Sequence, residues 1–284
     1  MSSSQSRPHT GNWSEDPRDT WVSVRSKHLR VRLLAPGGSW EQAASTCLVF
    51  LHEGLGCVEM WKTFPERLCE ATGLPGLIYD RQGHGRSSPL TETRTPEYQH
   101  EEALDFLPQV LRRLNIQRPV LIGHSDGGTI ALIFAARFPD WPVCVVTEAA
   151  HVFVEEVTVQ GIRQAKQAFE TTNLPDKLAK YHGDKTRDIF SAWADTWLDP
   201  KYHSWNIESE LPSIRCPLLV IQGEKDEYGS LEQVESIVDN SSGPAEPLII
   251  PGRGHIPHLE AEDEVIEGVV GFLGKHGLLG LCQE

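Results

Sequence analysis

Ser125 stands in the pentapeptide Gly123-His124-Ser125-Asp126-Gly127, between the apolar run PVLIGH and a second apolar run, TIALIFAARF. That order reads as strand, sharp turn and helix with a serine at the apex. It is the pattern of a nucleophile elbow, in which small flanking residues admit a strained turn that lifts the hydroxyl off the sheet edge. A serine hydroxyl has too high a pKa to attack unaided, so it needs a base. An imidazole base in turn needs a carboxylate to hold its tautomer and stabilise the imidazolium. Two later apolar runs end in such groups: PLLVIQG leads into Gly223-Glu224-Lys225-Asp226, and EPLIIP into Gly252-Arg253-Gly254-His255. The chemistry these residue types support is acyl transfer, with Ser125 as nucleophile, His255 as general base and later acid, and Asp226 or Glu224 as the orienting carboxylate. His258 is a rival to His255, but Gly254 lets the chain before His255 turn into the site; His258 is expected behind the site or on the surface. The amide of Asp126, directly after the nucleophile at a helix start, is a candidate donor to the oxyanion of a tetrahedral intermediate. Its carboxylate is expected to point outward and stabilise the helix through the macrodipole.

These groups must be carried by strands that end at one edge. From Thr20 the chain alternates as half-buried antiparallel strands do, through Trp21–Val24 and Leu29–Leu33, which predicts an opening hairpin. Short apolar runs follow at 47–52, 76–80, 119–124 and 143–149, separated by helical patterns at 61–71, 101–114 and 125–137. Strands alternating with helices predict a parallel sheet. The 101–114 helix carries Ala103, Leu104, Leu107, Val110, Leu111 and Leu114 on one face, and the helix after Ser125 is apolar nearly all round, so the elbow is expected at the centre of the fold. The alternation stops over 151–212, an aromatic-rich helical segment; Phe153, Trp193 and Trp197 are its candidates for walling a substrate pocket, beside the plainer reading that its aromatics form a small core of their own. After Pro212 the sheet resumes and the chain closes on an amphipathic helix through Val265, Ile266, Val269, Val270 and Leu273.

Composition narrows the function classes. The 284 residues carry 26 Lys and Arg against 40 Asp and Glu, a net charge of −14, which argues against nucleic acid or an anionic membrane surface as partner. The polar opening, residues 1–19, lacks the apolar stretch of a secretory signal and reads as a flexible tail, and no run approaches the roughly 20 apolar residues of a membrane span. Six cysteines without C-x-x-C spacing read as reduced thiols in a cytoplasmic protein. The twelve histidines show no H-E-x-x-H, no H-x-H and no Cys/His cluster, and neither glycine-rich loop has phosphate-binding spacing, so no metal or cofactor is expected.

With its partners in place the chain resembles the α/β-hydrolase superfamily. Besides the elbow it carries LHEGLG (51–56) after a strand, where the family usually shows H-G-x-x-G; YDRQGHGRS (79–87), similar to its D-x-R-G-x-G-x-S turn; and GRGHIPHLE (252–260), similar to its G-H-x-x-x-x-E ending. The resemblance spans roughly residues 20–275. It implies a mostly parallel eight-stranded sheet flanked by helices, a core domain of residues 20–150 and 213–284, and an inserted helical cap over 151–212. It places the acid at Asp226, leaving Glu224 solvated. Aligning His52 with the family's histidine puts Gly54 at the second oxyanion donor, with Leu55 less favoured. The chain departs from the pattern at Glu53, where the family usually has glycine; a carboxylate aimed at an oxyanion opposes catalysis, so Glu53 is expected to point away, pairing with an arginine or capping a backbone group. A serine at the elbow disfavours the dehalogenase and epoxide hydrolase branches, which carry aspartate there. The leading expectation is hydrolysis of a small carboxylic ester with an apolar acyl or aryl part. Lactone, thioester or carbon–carbon bond hydrolysis is the alternative, the last disfavoured by Ile256 where that branch usually has tryptophan. A non-catalytic binding or interaction role on this fold is the alternative of another class.

Overall fold

The computed structural model describes residues 16–36, 40 and 46–279. The expected tail therefore lies outside the described residues except for 16–19, and these are ordered: Asp19 opens the first strand, paired with Arg32, and its carboxylate holds the Arg30 and Arg32 guanidinium groups.

The apolar runs become strands β1 (Asp19–Val24), β2 (Lys27–Leu34), β3 (Thr46–Leu51), β4 (Gly76–Tyr79), β5 (Arg118–His124), β6 (Cys144–Glu148), β7 (Leu218–Gly223) and β8 (Ala245–Ile250). They form one sheet in the order β1-β2-β4-β3-β5-β6-β7-β8, in which only β2 runs antiparallel to its neighbours. The central strands are buried end to end, as a parallel sheet covered on both faces requires. Their period of two divides the core: Val49, Leu121 and Val220 face one apolar cluster, Phe50, Ile122 and Ile221 the other.

Helices α1 (Phe64–Thr72) and the C-terminal α8 (Glu262–Lys275) cover the second face. The first is covered by α2 (residues 98–113), α3 (Asp126–Arg137) and α7 (Leu231–Asn240). Helix α2 presents Ala103, Leu107, Val110 and Leu111 to the sheet as the periodicity predicts, but turns through a π-helical stretch, Glu102–Phe106. Pro108 follows at once; lacking an N–H, it cannot close the usual bond to the carbonyl four residues back. Helix α3 is buried from Asp126 to Ala135, so the elbow lies in the middle of the fold.

Strand order reverses between β3 and β5, because β4 lies on one side of β3 and β5 on the other. The loops after those two strands border the crevice such a reversal opens at the carboxyl edge of a sheet. Between β6 and β7 the chain runs through α4 (Glu156–Thr171), α5 (Leu174–His182) and α6 (Thr186–Leu198), then two short 3-10 turns. Ile162, Phe169, Leu178, Phe190, Ala194, Trp197 and Tyr202 from this insertion form a third apolar cluster with Tyr98 of α2.

Candidate active site

Ser125 caps α3 with φ 53° and ψ −118°, a left-handed conformation that costs a non-glycine residue about 1–3 kcal/mol. Surrounding packing holds it there. The Ser125 amide donates to the Glu148 carbonyl of β6 at 2.8 Å, and a side chain at Gly123 or Gly127 would collide with backbone, that of Gly127 in the first case and Leu51 in the second. Both glycines of the pentapeptide are thus demanded by close approach of β5, α3 and the end of β3.

His255, on the loop after β8, places Nε2 3.1 Å from Ser125 Oγ, and its Nδ1 lies 2.8 and 2.9 Å from the two oxygens of Asp226, on the loop after β7. Asp226 also accepts from the amides of Tyr228 (2.8 Å) and Gly229 (3.3 Å) and from Gln222 Nε2 (2.8 Å). Burial works to raise its carboxyl, but the bond to His255 and that residue's charge outweigh it and leave the pKa below the ordinary value. Such a chain can take the proton of a serine hydroxyl onto the imidazole while a carboxylate stabilises the charge that forms. Glu224 is exposed and accepts the Gly252 amide, away from this chain. His258 is buried: its Nδ1 and amide lie 3.0 Å from the Glu148 carboxylate.

The loop after β3 is clamped through its carbonyls. Arg81 Nη2 donates to the carbonyls of His52 (3.2 Å) and Glu53 (2.7 Å), His84 Nε2 lies 3.0 Å from the Gly54 carbonyl, and His182 of α5 lies 2.8 Å from that of Leu55. In a trans peptide the N–H points opposite to the C=O. Tying the Glu53 and Gly54 carbonyls to Arg81 and His84 therefore turns the Gly54 and Leu55 amides away from those clamps. Asp80 holds the neighbouring turn, accepting the amides of Val58 and Arg86 at 2.8 Å each, which accounts for the aspartate of the YDRQGHGRS motif.

Two acidic side chains differ from expectation. Asp126 points inward, 1% exposed, and accepts from Tyr98 Oη (2.8 Å) and Gln99 Nε2 (3.2 Å), with Arg81 Nη2 3.6 Å away. Helix α3 is buried all round, so no outward side is open to its first residue. Glu53 has a histidine as its partner in place of the expected arginine or backbone group: Oε2 lies 3.7 Å from His124 Nδ1, in space left free because residue 56 is glycine. Neither His124 nor Glu148 was legible as part of the site; the one available signal was their position next to Ser125 and at the end of the adjoining strand.

Of the three candidate pocket aromatics, Trp193 reaches the site, its ring filling the space a side chain on Gly54 would take. Trp197 is 2% exposed and donates to Tyr98 Oη at 3.0 Å. Phe153 packs against the main core below the insertion. Trp197 follows the plainer reading, as part of the insertion's own apolar cluster, whereas Phe153 belongs to neither that cluster nor the pocket. Among the described residues Cys57, Glu59 and Asp80 come together with metal-ligand spacing, but Arg30 pairs with both carboxylates and the Asp80 oxygens already take two amides. The described cysteines Cys47, Cys57, Cys69, Cys144 and Cys216 are buried, and no helix among the described residues is long and apolar enough to cross a membrane.

A doubly covered sheet with a serine elbow after β5, an acid after β7 and a histidine after β8 is the arrangement of a hydrolase, and residues 48–267 match the alpha/beta hydrolase family, to which the chain belongs. The human serine hydrolase BPHL is 27% identical over 197 residues, 66% of this chain and 65% of that protein, so the chain spans a little under two thirds of its length. The enol-lactonase of Burkholderia xenovorans LB400 superposes with a TM-score of 0.69 at 20% identity, covering 90% of this chain and all of that one. Naproxen esterase of Bacillus subtilis also gives 0.69 at 20% identity, with 90% of each chain covered. At such identities the two structures share the fold.

Proposed function

We propose that the protein is a serine hydrolase that cleaves a small carboxylic ester through an acyl-enzyme on Ser125. The observation that carries the proposal is the continuous hydrogen-bonded line from Ser125 Oγ through His255 to Asp226. Ser125 Oγ attacks the acyl carbon as His255 Nε2 takes its proton, and the resulting oxyanion is held by the amides of Gly54 and Asp126. His255 then returns the proton to the leaving alkoxide as the carbon–oxygen bond breaks. Water, deprotonated by His255, releases the acid and restores the serine. Asp126 lies at the first position of α3, where helix amides have no partner four residues back, and the clamped carbonyls of the β3 loop free Gly54, with Leu55 next to it. The Asp126 carboxylate, tied to Tyr98 and Gln99, does not compete with that amide.

The insertion is read as a cap whose Trp193 closes over Gly54 and favours an apolar acyl or aryl group, anchored to the core through His182 and Lys185. The buried cysteines of the core are in keeping with a cytoplasmic setting. Hydrolysis of p-nitrophenyl esters of increasing acyl length, beside a lactone and a vinylogous 1,5-diketone, tests the reading in wild type and Ser125→Ala. Ester turnover that disappears in the variant, with fluorophosphonate labelling of wild type alone, is expected. Equal turnover in both proteins, or a folded wild type that neither turns over an ester nor accepts the label, overturns it.

A further inference from the structure

Four side chains behind Ser125 have no part in the reaction as drawn: Glu53, His124, Glu148 and His258. His124 is the last residue of β5 and 1% exposed. Its Nε2 lies 2.7 Å from the backbone carbonyl of His255, a distance at which the nitrogen must carry a hydrogen and donate. Its Nδ1 faces Glu53 Oε2 at 3.7 Å, an ion-pair separation. The groups around the ring come from every neighbouring element: Glu53 from the loop after β3, Glu148 from the end of β6, His255 and His258 from the loop after β8, and the apolar edge of Trp61. With a carbonyl accepting from Nε2 and the carboxylates of Glu53 and Glu148 close to the ring, the protonated form is the one the surroundings suit. Burial opposes the charge, yet Glu53 and Glu148 together raise the pKa of His124 above its ordinary value. The reciprocal effect holds the Glu53 carboxyl down at about 2 against the same burial penalty.

We propose that His124 is a positioning residue held as an imidazolium: one ring ties the base loop at the His255 carbonyl, the nucleophile strand on which it sits and the oxyanion loop at Glu53, and it cancels the carboxylate next to Gly54. This rests on the serine-hydrolase reading above. It also accounts for an acid at a position where glycine is usual, because Glu53 and His124 form a neutral pair and the carboxylate opposes the oxyanion only when that ring loses its proton.

The test is a double-variant cycle on Glu53→Gln and His124→Gln, reading kcat, KM and their pH dependence with a p-nitrophenyl ester, beside the rate of fluorophosphonate labelling. His124→Gln is expected to lower kcat about 10- to 100-fold with KM within about twofold, and to abolish the alkaline fall in kcat that deprotonation of His124 produces in wild type. Adding Glu53→Gln to that background is expected to recover kcat at least about threefold, since the uncompensated charge goes with it. Losses that multiply in the double variant, or a His124→Gln enzyme with wild-type kcat and pH profile, overturn the proposal. If His124→Gln does not fold, histidine-selective nuclear magnetic resonance on Ser125→Ala decides. A His124 ring doubly protonated at pH 7 is expected, and a neutral ring there overturns the proposal. Failure of the serine-hydrolase reading is separately visible, as ester turnover that survives Ser125→Ala.

Discussion

Replacing Asp226 by asparagine alters one atom in the line of hydrogen bonds. The carboxylate accepts from His255, from the amides of Tyr228 and Gly229, and from Gln222 Nε2. An asparagine keeps its oxygen toward the two amides, where it still lies 2.8 Å from His255 Nδ1, and puts its NH2 against Gln222 Nε2 and, at the position 2.9 Å away, against the same His255 Nδ1. Gln222 cannot simply turn over, since its Nε2 also donates to the Gly229 carbonyl at 3.0 Å. His255 Nδ1 then faces an acceptor and a donor together, so its hydrogen is no longer held there and the tautomer carrying it on Nε2, which cannot accept the serine proton, becomes populated. The stabilisation of the imidazolium is lost as well. Unit charges 4 Å apart at an effective dielectric constant of 20 attract by about 4 kcal/mol, which at 1.36 kcal/mol per decade is about three decades of rate. With the tautomer no longer fixed, kcat should fall by about 10³ to 10⁴, with KM within about threefold and stability within about 1 kcal/mol of wild type. Steady-state hydrolysis of a p-nitrophenyl ester and the labelling rate of Ser125 measure it. A kcat within tenfold of wild type would refute the reasoning, and so would an equal loss in Glu224→Gln, whose carboxylate holds only the Gly252 amide on the exposed side.

Gly127→Ala drives a methyl group into the Leu51 carbonyl; chemical denaturation should show a loss of about 3 kcal/mol, and a change under 1 kcal/mol would mean that α3 shifts freely. Arg30→Met leaves Asp80 and Asp19 without the buried guanidinium that pairs with both, and removes a partner of Glu59; a cost of about 3–5 kcal/mol is expected from the same measurement. The Glu53 and His124 pair should also shape stability against pH. Glu53 is depressed from 4.5 to about 2, so its contribution is complete above pH 4.5 and is lost as pH falls through 2; a depression of that size is worth about 3 kcal/mol. His124 is raised above 6.5, so its contribution is complete below that pH and is lost as pH rises through the folded value. The stability difference between wild type and Glu53→Gln should therefore peak between pH 4.5 and 6.5. A difference that is flat from pH 3 to 9 would contradict the pairing.

The sheet, its covering helices and the triad order could be read from the chain because each rests on local chemistry. A short apolar run, a glycine-flanked serine and a helical period are written in consecutive residues, and backbone sterics make strand, elbow and helix of them. The acidic loop residue and the histidine then fall at strand ends because a parallel sheet brings all its carboxyl ends to one edge. Facing directions within that edge were a different matter. Asp126 turned inward because α3 is covered on every side, and covering comes from elements far along the chain. The His124 bond to the His255 carbonyl joins residues 131 apart, and His258 meets Glu148 across 110. Trp193 came to rest on Gly54 while Trp197 and Phe153 went into apolar clusters, a division fixed only when the insertion packs. Secondary structure follows from neighbours in sequence, whereas the partner of a buried charge is whatever the closed fold leaves beside it, and only tertiary structure decides that.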